Sequence, residues 1–322
     1  MKSPAVIFAG TPEFALVLLT ALVESGVAPV AVLTQPDRPA GRGKRMTASP
    51  VKAFATQQGI VVLQPSTLRD ETVVAELAAL RPDIIIVAAY GLILPQDVLD
   101  IPPHGCLNVH ASVLPRWRGA APIQAAILSG DATTGISLMS MTAGLDSGPV
   151  YCSASVTIGE NETAGDLHDR LAALGGKLLV DSLDALMAGR MPASEQDQQQ
   201  ATYAGKINKQ DAQLDWTLGA EELQRRVRAY NPEPGAFFFL NGSTTGEVRG
   251  NDSQRVKCWS AQAVADTDAQ PGTVVACSSE ALVIACGSGG LRLESVQMPG
   301  RRRITAQELA TQIDLLGKRL PT

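Results

Sequence analysis

The chain has 322 residues, 45% hydrophobic and 18% charged, with 27 basic and 32 acidic side chains and a formal charge of −5. That length divides naturally into two domains, and a mean hydropathy of +0.07 excludes global disorder. The acidic balance excludes tight, indiscriminate polyanion binding but not a local basic footprint. Residues 1–206 carry 14 basic and 19 acidic side chains, and residues 207–322 carry 13 of each.

In chain order, Val6–Ala9 reads as a strand, Gly10-Thr11-Pro12 as a turn and Phe14–Ser25 as a helix. Further strands are expected at Val30–Leu33, Ile60–Leu63, Ile84–Ala88 and Leu107–His110. Glu71–Leu80 is a helix stopped by Arg81-Pro82-Asp83. Strand–helix alternation of this kind implies a mainly parallel, doubly wound, Rossmann-like sheet. Ile136–Met141 and Val150–Ile158 are later strands around a glycine-bracketed turn, and Ala164–Met187 is a long amphipathic helix. Composition shifts after Gly189. The expected division is a first domain over 1–189, a polar linker over 190–206 and a second domain over 207–322. In that last part, Ala220–Tyr230 is a helix. Short runs at Ala236–Leu240, Arg255–Trp259, Thr273–Cys277, Leu282–Cys286 and Leu291–Val296 suit a small β-barrel of the oligonucleotide-binding (OB-like) type.

Five cysteines at wide, irregular spacing include no Cys-x-x-Cys pair, and His104, His110 and His168 lack zinc-ligand spacing. Reduced, mostly buried thiols and no protein-bound metal are expected. No apolar run approaches the roughly 18 residues of a membrane span, so the expectation is a cytoplasmic protein without a membrane partner, and a monomer.

The first βα turn has one glycine, Gly10, where a dinucleotide fingerprint needs three, which argues against a nicotinamide cofactor. That turn reads as a plain helix start or as a substrate contact. The densest polar segment runs from Asn108 to Pro122. Asn108 and His110 are two apart on a strand and share a face. A carboxamide and an imidazole can hold a developing oxyanion, although such a pair at a strand end is more often structural. Asp146, between Gly144 and Gly148, shifts that balance, because a carboxylate on such a loop can reach the imidazole. No nucleophile elbow accompanies them, so direct transfer to a substrate nucleophile fits better than a covalent intermediate. Asp37 to Arg45 holds Arg38, Arg42, Lys44 and Arg45, readable as a solvated loop or as a contact for a polyanionic substrate. Arg225, Arg226 and Arg228 on a helix and Arg301, Arg302 and Arg303 near a strand end are further basic clusters.

With Asn108-Val109-His110-x-Ser112 running on to Arg116-Trp117-Arg118-Gly119, the sequence resembles the formyltransferase family, and within it the branch that acts on methionyl initiator tRNA. Phe8-Ala9-Gly10-Thr11-Pro12, Thr34 to Gly43, Ala89 to Pro95, Gly144 to Gly148 and Arg228-Ala229-Tyr230-Asn231-Pro232 extend the resemblance in order. It implies transfer of a formyl group from the cosubstrate 10-formyltetrahydrofolate to the α-amine of methionine on initiator tRNA, for translation initiation. The catalytic trio would be Asn108, His110 and Asp146, and the folate contacts Ser112, Val113, Leu114 and Pro115. The basic loop, led by Arg42, would probe the tRNA acceptor end, with Arg301–Arg303 contributing from the barrel. Three departures stand out: Val113 replaces a usual leucine, Glu233 stands where an aromatic is common, and residues 241–254 form a longer stretch than usual. A glycinamide ribonucleotide formyltransferase would share the trio but lacks a second domain after Lys206. A non-catalytic RNA-binding module would leave the trio unexplained.

Overall fold

Continuous apolar runs, with little alternation, mark strands buried on both faces, as expected where helices cover both faces of a sheet. A computed structural model describes residues 4–40, 43, 45–241, 253–265 and 267–321. Arg42, Lys44 and most of the 241–254 stretch lie outside the described residues. The chain runs through β1 (Val6–Gly10), α1 (Glu13–Glu24), β2 (Ala31–Leu33), β3 (Arg38–Ala40), β4 (Arg45–Thr47) and α2 (Pro50–Gln57). It continues through β5 (Val61–Leu63), α3 (Glu71–Ala79), β6 (Ile84–Ala88), α4 (Gln96–Leu99), β7 (Cys106–His110) and β8 (Arg118–Gly119). Next come α5 (Pro122–Ser129), β9 (Thr133–Ser140), β10 (Val150–Thr157), α6 (Ala164–Met187) and β11 (Tyr203–Ala204).

Two compact units emerge. The first comprises Met1–Pro122, Thr133–Thr157 and His168–Gly205, and the second Ile123–Ala132, Ile158–Leu167 and Lys206–Thr322. The first unit is built on a seven-stranded sheet of order β10-β9-β7-β6-β1-β2-β5. Five strands are parallel, and β9 and β10 join antiparallel to β7 and to each other. Every residue of β1, β6 and β7 is buried. Helix α1 turns Phe14, Ala15, Leu18, Leu19 and Leu22 into the core at helical spacing. Helix α6 comes close to α1 at Gly176, where a Cβ would lie 3.0 Å from that of Ala21. This is the doubly wound, Rossmann-like sheet that the sequence implied.

Three features escaped the periodicity reading. Helix α2 buries only Val51 and Ala55, too few to set a period, and is fixed instead by the Ser49 cap, whose Oγ accepts from Lys52 N–H at 3.0 Å. The basic loop is partly a hairpin: β3 pairs antiparallel with β4, and β4 is exposed along its length. Residues 190–206, expected as a linker, lie largely within the first unit, where β11 pairs in parallel with β8 and Gln196 is buried.

The second unit adds α7 (Ala220–Ala229), β12 (Phe237–Asn241), β13 (Ser253–Val264), β14 (Val274–Cys277), β15 (Leu282–Ala285), β16 (Gly290–Gln297), β17 (Arg303–Thr305) and α8 (Ala306–Gln312). The strands form one antiparallel sheet of order β12-β13-β16-β15-β14, with β17 also on β16. β13 extends well past the expected Arg255–Trp259. Register shifts around Ser260 interrupt its alternation, and such bulges also curl a sheet towards the OB-like shape expected. Trp216 is fully buried and meets Phe238 edge to face at 5.7 Å. No helix among the described residues is long and apolar enough to cross a membrane.

Candidate active site

The alternation of β7 sends Asn108 and His110 to one face of the sheet, where they are only 9% and 6% exposed. The loop between β9 and β10 brings Asp146 to the same place, in a left-handed conformation at φ +46°. Asn108 Nδ2 donates to Asp146 Oδ1 at 3.2 Å, and the Gly119 N–H donates to Asp146 Oδ2 at 2.8 Å. The carboxylate thus has a donor on each oxygen. Gly119 itself sits at φ +115°, and a Cβ there would come within 2.5 Å of the Ala204 carbonyl oxygen. Only glycine lets β8 lie this close to β11 and still point its N–H at the carboxylate.

His110 Nε2 lies 2.9 Å from the Trp117 carbonyl oxygen. A carbonyl only accepts, so Nε2 carries a proton. Nδ1 faces Asp146 Oδ2 at 3.7 Å, close enough for electrostatic attraction but too long for a hydrogen bond. The strand therefore supplies a carboxamide and an imidazole beside a carboxylate, and Asn108 keeps a second amide N–H beyond the one given to Asp146.

Of the expected folate contacts, Ser112 is fully buried and its Oγ donates to Arg116 O at 2.5 Å. Leu114 is buried and its N–H donates to Ser137 Oγ at 3.1 Å, while Ser137 Oγ lies 2.8 Å from Ser112 O. These two residues pin the loop after β7, and the half-buried Val113 and Pro115 alternate with them.

Arg38 and Arg45 are both exposed on the β3–β4 hairpin, and Arg38 Nη2 donates to Gln35 Oε1 at 2.9 Å. Beside them a cavity of about 330 Å³ is lined by Thr11, Gln35, Arg38, Thr47 and Ser49. The Lys52 ammonium at 2.7 Å and the Gln64 amide hold the Asp37 carboxyl below the usual carboxylate range at the root of the hairpin. In the second unit Arg301, Arg302 and Arg303 are exposed, with Arg302 3.7 Å from Glu308 and Arg303 stacked 3.7 Å over the Trp259 ring. The helical arginines read as a further basic cluster are tied to neighbours. Arg225 bonds to Leu128 O, Arg226 to Glu222, and Arg228 to Gly159 O and Glu162 O. Burial also pulls the Arg228 guanidinium below its usual range.

Sequence reasoning missed the groups around the trio: the Trp117 carbonyl, the Gly119 N–H, and Gln196, which bonds to the Asp146 and Gly148 carbonyls. The first two are main-chain groups, which no side-chain pattern reports. Gln196 lies 50 residues beyond Asp146, in a stretch with no apolar period. Among the described residues, no group of three His, Cys, Asp or Glu side chains could hold a metal ion.

The profile described as formyl transferase matches residues 2–183, and that described as formyl transferase, C-terminal domain, matches residues 206–313. A methionyl-tRNA formyltransferase of Methylococcus capsulatus is 49% identical over 318 residues, 98% of this chain and 99% of that one. One of Xanthomonas campestris pv. campestris is 52% identical over 305 residues, 94% of this chain and 95% of that one. Among solved structures, an N-formyltransferase from Helicobacter canadensis, in complex with folinic acid and dTDP-3-aminofucose, superposes with a TM-score of 0.64 at 15% identity over 92% of this chain and 99% of that one. HypX from Aquifex aeolicus gives a TM-score of 0.62 at 17% identity over 97% of this chain, which spans about half (48%) of HypX. Those two likenesses concern the fold. With both profiles matched in order and relatives near half identical over almost their whole length, the chain belongs to the formyl transferase family.

Proposed function

We propose that the protein transfers a formyl group from 10-formyltetrahydrofolate to the α-amine of methionine on initiator tRNA, in the cytoplasm and as a monomer. The observation that carries this reading is the Asn108–His110–Asp146 cluster, in a chain about half identical over nearly its full length to proteins named methionyl-tRNA formyltransferase. The amine attacks the formyl carbon and negative charge grows on the formyl oxygen. The second N–H of Asn108 and, in the doubly protonated imidazolium form of His110, the Nδ1–H that faces Asp146 are the donors for that charge. Each good donor of this kind is worth roughly 10²–10³ in rate. Asp146, steadied by Asn108 and Gly119, takes up the amine proton directly or through water. The oxyanion then collapses, the bond between the formyl carbon and folate N10 breaks, and tetrahydrofolate leaves with that proton delivered to N10. The loop Ser112–Pro115 meets the folate.

Residues 1–189 carry the catalytic trio, residues 190–205 pack with them in the same unit, and residues 207–322 hold tRNA. Arg38, Arg42, Lys44, Arg45 and Arg301–Arg303 supply the cationic contacts, which fix position without reading bases. The test is incubation with 10-formyltetrahydrofolate and either methionyl initiator tRNA or glycinamide ribonucleotide. Formylation of the tRNA is expected. Formylation of the nucleotide alone overturns the assignment.

A further inference from the structure

Behind the Asp146 loop lies a buried polar pair that no catalytic role uses. Gln196 is 8% exposed and Arg118 is 1% exposed. The Gln196 amide is saturated. Its Nε2 donates to the carbonyls of Asp146 at 2.9 Å and Gly148 at 2.7 Å. Its Oε1 accepts from Arg118 Nε at 3.0 Å and Nη2 at 2.8 Å. A guanidinium only donates and a carbonyl only accepts, so the amide has one possible orientation. Arg118 is held in turn by Gln198 Oε1 at 2.8 Å and, through its main-chain N–H, by Thr202 O at 2.9 Å. The next residue, Gly119, gives its N–H to the Asp146 carboxylate. Asp146 is therefore gripped from both ends, its carbonyl by Gln196 and its carboxylate by Gly119, and both grips converge on the 118–119 segment.

The loop needs such a grip. Asp146 sits at φ +46°, a conformation sparsely populated outside glycine, and its neighbour Leu145 is 64% exposed, so its own packing does little to hold it. We propose that Gln196 is a positioning residue for formyl transfer. It sets the place of the Asp146 carboxylate relative to Asn108 and His110, and Arg118 fixes the amide that does so. This inference rests on the functional reading above for its kinetic consequence, although not for its structural one.

The competing view is that Gln196 only ties residues 190–206 to Arg118. Gln196→Glu separates the two. Glutamate keeps the length and the oxygen that accepts both Arg118 N–H bonds, yet turns its other oxygen towards two carbonyl oxygens and loses both donors. If Gln196 positions Asp146, kcat for formyl transfer falls about 10- to 100-fold, while KM for both substrates stays within about threefold. Hydrogen exchange of the Gly119 amide, which needs no substrate, also accelerates by about tenfold or more. Gln196→Met, which removes both sets of bonds at similar volume, gives the same loss of kcat and serves if the glutamate variant does not fold. Wild-type kcat together with wild-type Gly119 exchange in a folded variant overturns the proposal. A wild-type protein that does not formylate methionyl-tRNA overturns the functional reading instead, and Gly119 exchange still decides the role of Gln196.

Discussion

Asp146 receives two hydrogen bonds on separate oxygens, one from a carboxamide and one from a main-chain amide. Asparagine at this position offers a single acceptor oxygen, so one of those donors must face an NH₂ group. Asp146→Asn is expected to lower kcat by roughly 10²–10⁴ with little change in KM for either substrate, read in a steady-state formylation assay. Gly119→Ala tests the same contact from its other side. The added methyl group meets the Ala204 carbonyl at a φ of +115°, so β8 must shift away from β11. A loss of about 1–3 kcal/mol in urea unfolding is expected from the strain, with a fall in kcat as the N–H moves off the carboxylate. An alanine variant with full stability and full activity would show that the close approach is not required.

Among elements, α6 and the β3–β4 hairpin mark the two extremes of what the sequence disclosed. The apolar stripe of α6 gave its bounds directly, Ala164–Met187, yet nothing in the pattern announced how close its neighbour lies at Gly176. Gly176→Val should cost about 1–3 kcal/mol by overpacking against Ala21, measured by denaturant unfolding. The hairpin carries no stripe, because Arg38, Pro39 and β4 face solvent and the strand pairing is a main-chain matter. The same division runs through the candidate site. Asn108, His110 and Asp146 were legible as residue types on a strand and on a glycine-bracketed turn. The Trp117 carbonyl, seven residues from His110, is a main-chain group, and the Gly119 N–H and the Gln196 brace reach Asp146 across 27 and 50 residues, so none of them leaves a local periodicity. The charge run Asp37–Arg45 was legible as charge only. Arg42→Ala is expected to raise KM for tRNA, leave kcat nearly unchanged and flatten the salt dependence of kcat/KM. Unchanged tRNA kinetics and salt slope would mark the run as a solvated loop.

For the molecule as a whole, burial sets the alkaline limit. It pushes the Cys106 and Cys258 thiols up from 9.0 to about 12 and the Tyr90 phenol up from 10.0 to about 12. The folded chain therefore keeps protons that the unfolded chain releases. Their contribution is whole below the ordinary values and is lost as pH rises from about 9 towards 12. The denaturation midpoint should decline over that range, and Cys106→Ala or Cys258→Ala should lessen the slope. The order of the units along the chain has a temporal consequence. Residues 158–167 emerge from the ribosome between two stretches of the first unit, and several of their partners come later, as Asn231 bonds to Gly165 and Arg228 to Gly159 and Glu162. At about 5–20 residues per second, that segment waits roughly 3–14 s for its carbonyls and amides to be met. Every stretch of the first unit is synthesised by Gly205, yet it emerges with a piece of the second unit inserted in it and not yet met by those partners. A ribosome that stalls before Asn231 leaves that inserted piece without these partners.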